Sequence, residues 1–336
     1  MSNSRPLPPG KLPGDLLDRL IRTYKTPPDA TVIIDSSYGF DAAAIEVGGQ
    51  TVLVKSDPIT FATTDAAHYL VAVNVNDISC MGGIPRWMTV VSLLPEKLTT
   101  PELVEKQFAD LQLACQQEGI SLIGGHTEIT LGLDRPLLIG TLLGTVGPHG
   151  MLEPGKAQAG DELWISHTAG IEGTALLAFE MEADLRAAIG SDLVGQAQAL
   201  LLEPGISVSR DAQALLRTGI VTALHDATEG GVATAIHEVA AASGLGAEID
   251  GTAIPVAEST RAVADHFGID PLGLISSGAL IIATQPGAEP DLIESMVPVR
   301  KIGILTDDPT RLTISTERGV EDLKRFDSDE LTRAFS

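Results

Sequence analysis

The chain has 336 residues, with 45 Asp and Glu against 22 Lys and Arg and a formal net charge of −23. A field of that sign repels polyanions, which excludes a duplex nucleic-acid binder; a phosphate-handling protein this acidic needs divalent cations to bridge carboxylate and phosphate. No apolar run approaches the roughly 18 residues of a membrane span, and two cysteines give no disulfide framework.

The length favours two domains. The start, Met1 to Gly10, is polar and proline-rich without the apolar core of a secretion signal, so a cytoplasmic protein is expected. Residues 1–14 read as a flexible lead-in carrying Lys11, followed by an amphipathic helix with Leu16, Leu17, Leu20, Ile21 and Tyr24 on one side. Next come two short apolar runs, Ala42 to Val47 and Thr51 to Val54, joined by Gly48-Gly49-Gln50. This is a hairpin, and it brings Asp41 and Asp57 towards the same end of a sheet.

From about Asp65, Ala66, Leu70 and Val73 recur at helical spacing, and the stripe reaches Asp77 one turn later. Two placements of Asn76-Asp77 are open. On a buried face Asp77 must meet a cation, a metal or hydrogen-bond donors; alternatively, the pair lies on the surface near a helix C-terminus. Trp87 to Leu94 reads as a strand, and Thr100 caps a helix with Pro101 first and Gly119 last. A strand from Ile120 to Ile123 runs into Gly124-Gly125-His126-Thr127-Glu128, and Leu137 to Val146 is a long strand. Cys115 continues a helical stripe through Val104, Phe108 and Leu111, and both cysteines read as small buried hydrophobes.

The turn-rich stretch from Gly147 to Lys156 marks the domain boundary, dividing 15–150 from 156–336. In the second half, Glu162 to Ser166 is a strand and Gly170 to Thr174 leads into a helix. Ser209 to Arg217 is helical, and Ile220 to Asp226 passes from strand into an amphipathic helix through Ala227-Thr228-Glu229-Gly230-Gly231. Leu272 to Ile282 and Lys301 to Leu305 read as further strands.

Four glycine- or turn-flanked polar spots recur: Asp41, Asp57, Asn76 with Asp77, and His225 with Asp226. Carboxylates converging on one place repel unless cations sit between them, and Mg²⁺ takes a few carboxylates plus phosphate oxygens. The predicted chemistry is nucleotide phosphate handling without a Walker loop, because no GxxxxGK[ST] occurs. His126 and His225, each between strand and helix, are candidates for a structural hydrogen bond or for proton transfer.

The motif order resembles the aminoimidazole ribonucleotide (AIR) synthase superfamily. It runs through Gly10-Lys11-Leu12-Pro13, Gly39-Phe40-Asp41, Ser56-Asp57-Pro58, Asn76-Asp77 with Met81-Gly82, Gly124-Gly125-His126-Thr127 and His225-Asp226-Ala227-Thr228-Glu229-Gly230-Gly231. The hydrogenase maturation branch is the most similar. The resemblance implies an α+β two-domain PurM-like fold, with an N-terminal mixed sheet forming a dimeric barrel and a C-terminal α/β domain. It also implies ATP and Mg²⁺ in the cleft of a homodimer, with Asp77 and His225 as catalytic candidates. Asp41, Asp57, Asp77 and Asp226 would be metal ligands, and Lys11, Gly39, Asp41, Asp57, Asn76, Gly125, Thr127 and Asp226 would hold the nucleotide.

By resemblance the reaction is phosphorylation of an amide or carbonyl oxygen of a small substrate. The alternatives are a non-catalytic nucleotide-binding relative that assists a metallocentre maturation partner, and a small-molecule kinase of the thiamine-monophosphate type. The chain departs from the family at Asp35, Ser37 and Phe40, at His126 and Glu128, at Glu229 in place of an arginine, and in ending Phe335-Ser336 without a substrate-carrying cysteine.

Overall fold

The computed structural model describes residues 7, 10–27 and 29–335. Most of the expected lead-in over 1–9 therefore lies outside the described residues. The first half contains α1 (Gly14–Tyr24), β1 (Val32–Ile34), β2 (Ala43–Val47), β3 (Gln50–Ile59), α2 (Ala66–Cys80), β4 (Gly83–Pro95), α3 (Pro101–Gln117), β5 (Ser121–Thr130) and β6 (Leu137–Val146). Its strands form one open six-stranded sheet in the order β1-β2-β3-β6-β4-β5, antiparallel except where β4 runs parallel to β5. No closed barrel forms among the described residues.

The second half holds β7 (Glu162–Ser166), α4 (Ile171–Glu180), α5 (Glu182–Ile189), α6 (Ser191–Ala199), α7 (Ser209–Leu216), β8 (Val221–Asp226), α8 (Gly231–Ser243), β9 (Gly246–Asp250) and α9 (Glu258–Phe267). Then come β10 (Leu280–Thr284), β11 (Val299–Thr306), β12 (Leu312–Thr316) and β13 (Gly319–Asp322). The sheet order is β13-β12-β9-β11-β7-β10-β8, mixed because β12 runs parallel to β9. Two mixed sheets with helices against them make a two-domain α/β architecture. No helix among the described residues is long and apolar enough to cross a membrane.

Helix α2 is the element both halves share. Every residue from Tyr69 to Cys80 is buried, because the helix is apolar nearly all round and lies between the first sheet and the second domain. Leu70, Val71, Val75 and Ile78 enter the first core, whereas Tyr69 and Ala72 enter the second. Close approach to β6 depends on small residues: a Cβ at Gly140 would press on Met88 and Leu70, and one at Gly144 would overlap Ile78.

Two sequence expectations change. Gly124-Gly125 does not end a strand; β5 runs through both glycines, which sit opposite a register shift between Met88 and Thr89 of β4. The strand expected over Leu272 to Ile282 begins only at Leu280, because Pro271–Gly273 is a 3₁₀ turn whose start is held by Asp270 accepting from the Leu272 N–H.

Candidate active site

A cleft of about 660 Å³ opens between the domains beside the C-terminal half of α2. The β2–β3 hairpin pairs Ala43 with Val54, which sets Asp41, just before β2, near Asp57 at the far end of β3. Side chains alternate along β3, so Leu53, Lys55, Asp57 and Ile59 share its inner face while Ser56 and Pro58 are exposed. Asp77, on the last turns of α2, meets that face. Strand β8 ends in His225 and Asp226, and α8 adds Glu238.

His225 is clasped from both sides. Its Nδ1 lies 2.6 Å from Asp41 Oδ1 and its Nε2 2.9 Å from Glu238 Oε2. Burial opposes a charged imidazole, but Asp41 and Glu238 override it and hold the ring's pKa well above 6.5. Both nitrogens therefore donate, and neither lone pair is free to accept a proton. Of the two roles open for His225, this clasp fits the structural hydrogen bond, with the ring positioning Asp41. The Glu238 carboxyl is held down at about 2, burial being outweighed by Lys11 and His225.

Lys55 fills the gap on the other side. Its Nζ lies 3.2 Å from Asp57 Oδ2 and 3.1 Å from Asp77 Oδ2. Burial pushes the Asp77 carboxyl well above its usual range; Lys55 opposes this, and Asp226, Asp57 and Asp41 reinforce it. Asp226 is driven up to about 7, first by burial and then by Asp41. Asp226 Oδ2 is buried without a hydrogen-bond partner among the described residues.

A ligand oxygen from each of Asp41 and Asp226 and the Cys80 sulfur lie within 4.8 Å of one another. The two carboxylates, one with an orphaned oxygen, suit a hard cation completed by phosphate oxygens and water; the neutral, buried thiol does not. Burial holds the Cys80 pKa well above its ordinary value, with Asp226 adding to the shift.

Lys11 reaches the cleft from the lead-in, donating to Thr228 Oγ1 at 3.0 Å and pairing with Glu229 Oε2 at 3.4 Å. Gly39 lines the cleft with φ +80°, and a Cβ there would lie 2.9 Å from the Glu238 carbonyl oxygen, so the tight loop before Asp41 requires glycine.

The structure thus gathers Lys11, Gly39, Asp41, Asp57, Asp77, His225 and Asp226 around one cleft. Four other candidates lie elsewhere. Asn76 is fully buried and outside the cleft: its Nδ2 donates to the Ile206 carbonyl at 2.9 Å and its Oδ1 accepts from the Val208 N–H at 2.8 Å. It ties α2 to the segment before α7 rather than facing the cleft. Gly125 and Thr127 lie on exposed β5, lining a separate groove with Phe108 and Ile123. His126 is exposed there, beside Glu128 at 3.3 Å.

The sequence reading missed Lys55, Glu238 and Glu172. Lys55 was legible, since it stands two residues from Asp57 and so on the same face of a strand. Glu238 carried no such signal, being the single acid of apolar α8, whereas Glu172 stands at the glycine-flanked start of α4. Burial raises the Glu172 carboxyl to about 8.

A mixed two-domain fold whose acidic turns and lysines meet in an interdomain cleft defines a class of phosphate-handling proteins without a Walker loop. Residues 39–146 match the N-terminal domain, and residues 158–314 the C-terminal domain, of AIR synthase related proteins. The chain belongs to that family. Among curated relatives, carbamoyl dehydratase HypE of Escherichia coli K12 is 29% identical over 242 residues, 71% of this chain and 68% of that protein.

Among solved structures, a HypE–HypF complex matches with TM-score 0.75 at 23% identity, covering 93% of this chain and 100% of the other. HypE in complex with ATP matches with TM-score 0.71 at 23% identity, covering 94% and 93%.

Proposed function

We propose that the chain is an ATP- and Mg²⁺-dependent enzyme that activates an amide or carbonyl oxygen by phosphorylation. The observation that carries this is the convergence of Asp41, Asp57, Asp77 and Asp226 with Lys11 and Lys55 in one cleft. The ATP-bound and carbamoyl dehydratase relatives support it.

In this reading Asp41 and Asp226 hold the metal, which supplies charge compensation on the phosphates and alignment of the leaving group. Lys55 and Lys11 direct their ammonium groups at phosphate oxygens. His225 keeps Asp41 in place. A primary amide oxygen attacks the γ-phosphorus, ADP leaves, and the resulting imidate phosphate loses inorganic phosphate and a proton to give a nitrile. Both cysteines of this sequence are buried, so neither is a carrier for the substrate in this conformation.

Incubation with ATP, Mg²⁺ and a panel of primary amides and thioamides is expected to release ADP and phosphate in equal amounts with at least one of them. ADP formed together with a stably phosphorylated alcohol would replace this reading with a kinase.

The active form in this proposal is a homodimer joined through β5. That edge strand is exposed on both faces, with Ile123 and Ile129 58% and 60% exposed, an unpaired apolar edge that a lone chain would leave open to aggregation. Sedimentation is expected to give a dimer that Ile123→Lys with Ile129→Lys converts to a monomer. A monomeric wild type at micromolar concentration would overturn this assignment.

A further inference from the structure

We propose that Lys55 is a built-in substitute for one cation: its ammonium occupies the place between Asp57 and Asp77 that a divalent ion would otherwise take, and leaves Asp41 and Asp226 as the pair open to a metal. This rests on the reading of the cleft as a nucleotide–metal site.

Three observations carry it. First, Lys55 belongs to the inner face of β3, in line with fully buried Leu53 and with Asp57, so strand register rather than side-chain reach puts its charge there. Second, its nitrogen is within 3.2 Å of one oxygen of each carboxylate, with only about a fifth of the side chain exposed. An ion bound to those same two oxygens at the usual Mg²⁺ distance of about 2.1 Å would sit no more than roughly 5 Å from the ammonium, sharing its ligands with a like charge. Third, the opposite wall of the site has no such occupant. Asp226 Oδ2 and Asp77 Oδ2 are both buried without a hydrogen-bond partner among the described residues, but only Asp77 has an ammonium beside it, Lys55 at 3.1 Å; the cation beside Asp41, His225, is held on a side shared with Glu238.

The two halves of the acidic cluster therefore differ in kind. One is neutralised by the protein itself, the Lys55 ammonium standing beside both carboxylates. The other is open. Such a site needs one fewer divalent ion than four converging carboxylates suggest.

Titration of MnCl₂ into nucleotide-free protein tests this. Wild type is expected to bind one Mn²⁺ per chain, and Lys55→Met a second, at Asp57 and Asp77. The added ion should disappear again in Lys55→Met combined with Asp57→Asn. Equal Mn²⁺ stoichiometry and affinity in wild type and Lys55→Met would overturn the proposal.

If Lys55→Met does not fold, anomalous scattering from wild-type crystals soaked in MnCl₂ decides. A peak beside Asp41 and Asp226 alone supports the substitution; a peak between Asp57 and Asp77 overturns it. Failure of ATP to bind leaves these metal counts readable, so the loss of the nucleotide reading and the loss of this one are told apart.

Discussion

Asp77→Asn is expected to lower ATP turnover by about two orders of magnitude while leaving the protein at least as stable as wild type. Removing one partner of a buried charge pair typically costs about 2–5 kcal/mol of the interaction it organises, and 2.7 kcal/mol is roughly a hundredfold in rate. Asp77 faces Lys55 at 3.1 Å and is 4% exposed, so its carboxylate fixes where the ammonium points. Asparagine keeps the shape and removes a carboxyl that burial disfavours, and Lys55 retains Asp57 at 3.2 Å as its partner, which is why stability is not expected to fall. Turnover by initial rates and the urea midpoint are the paired measurements. Unchanged turnover would show that the Asp57–Lys55–Asp77 chain is only structural.

His225→Leu is expected to show the opposite pattern in its origin, a loss of about 3–5 kcal/mol of folding stability, because it leaves Asp41 and Glu238 buried with no imidazolium between them. The folded-state pKa of His225 lies well above 6.5. Its contribution is therefore fully present below about pH 6.5 and is lost only as pH rises through the elevated value. Measured by urea denaturation, the penalty should be largest in mildly acidic buffer and shrink towards alkaline pH. A loss under about 1 kcal/mol at pH 6 would mean the ring is neutral and the clasp an ordinary hydrogen bond.

Much of this arrangement was legible in the residues. The stripe from Ala66 through Val73 to Asp77 is a helix, and of the two placements open for Asp77 the structure takes the buried one, against a cation. The Gly48-Gly49 hairpin does set Asp41 near Asp57, because antiparallel register follows from a short turn. Strands Leu137–Val146 and Glu162–Ser166 have the expected bounds, each being an apolar run closed by turn residues.

What was not legible depended on long-range packing. Nothing local to Asn76 announces that its amide will meet the backbone of residues 206 and 208. Gly124-Gly125 reads as a turn by composition, yet pairing with β4 carries the strand straight through. The short strands β9, β12 and β13 went unseen because charged and polar residues break up their apolar runs; β9 also pairs with the remote β11 and β12, while β12 and β13 form a short hairpin.

Calorimetric titration of ATP into wild-type protein, in MgCl₂ and in EDTA, tests the central claim most directly. ATP binding that is present with Mg²⁺ and at least tenfold weaker in EDTA is the expected result, since Asp41 and Asp226 need a cation to accept a triphosphate. No heat of binding in either buffer would contradict the assignment of this cleft as a nucleotide site.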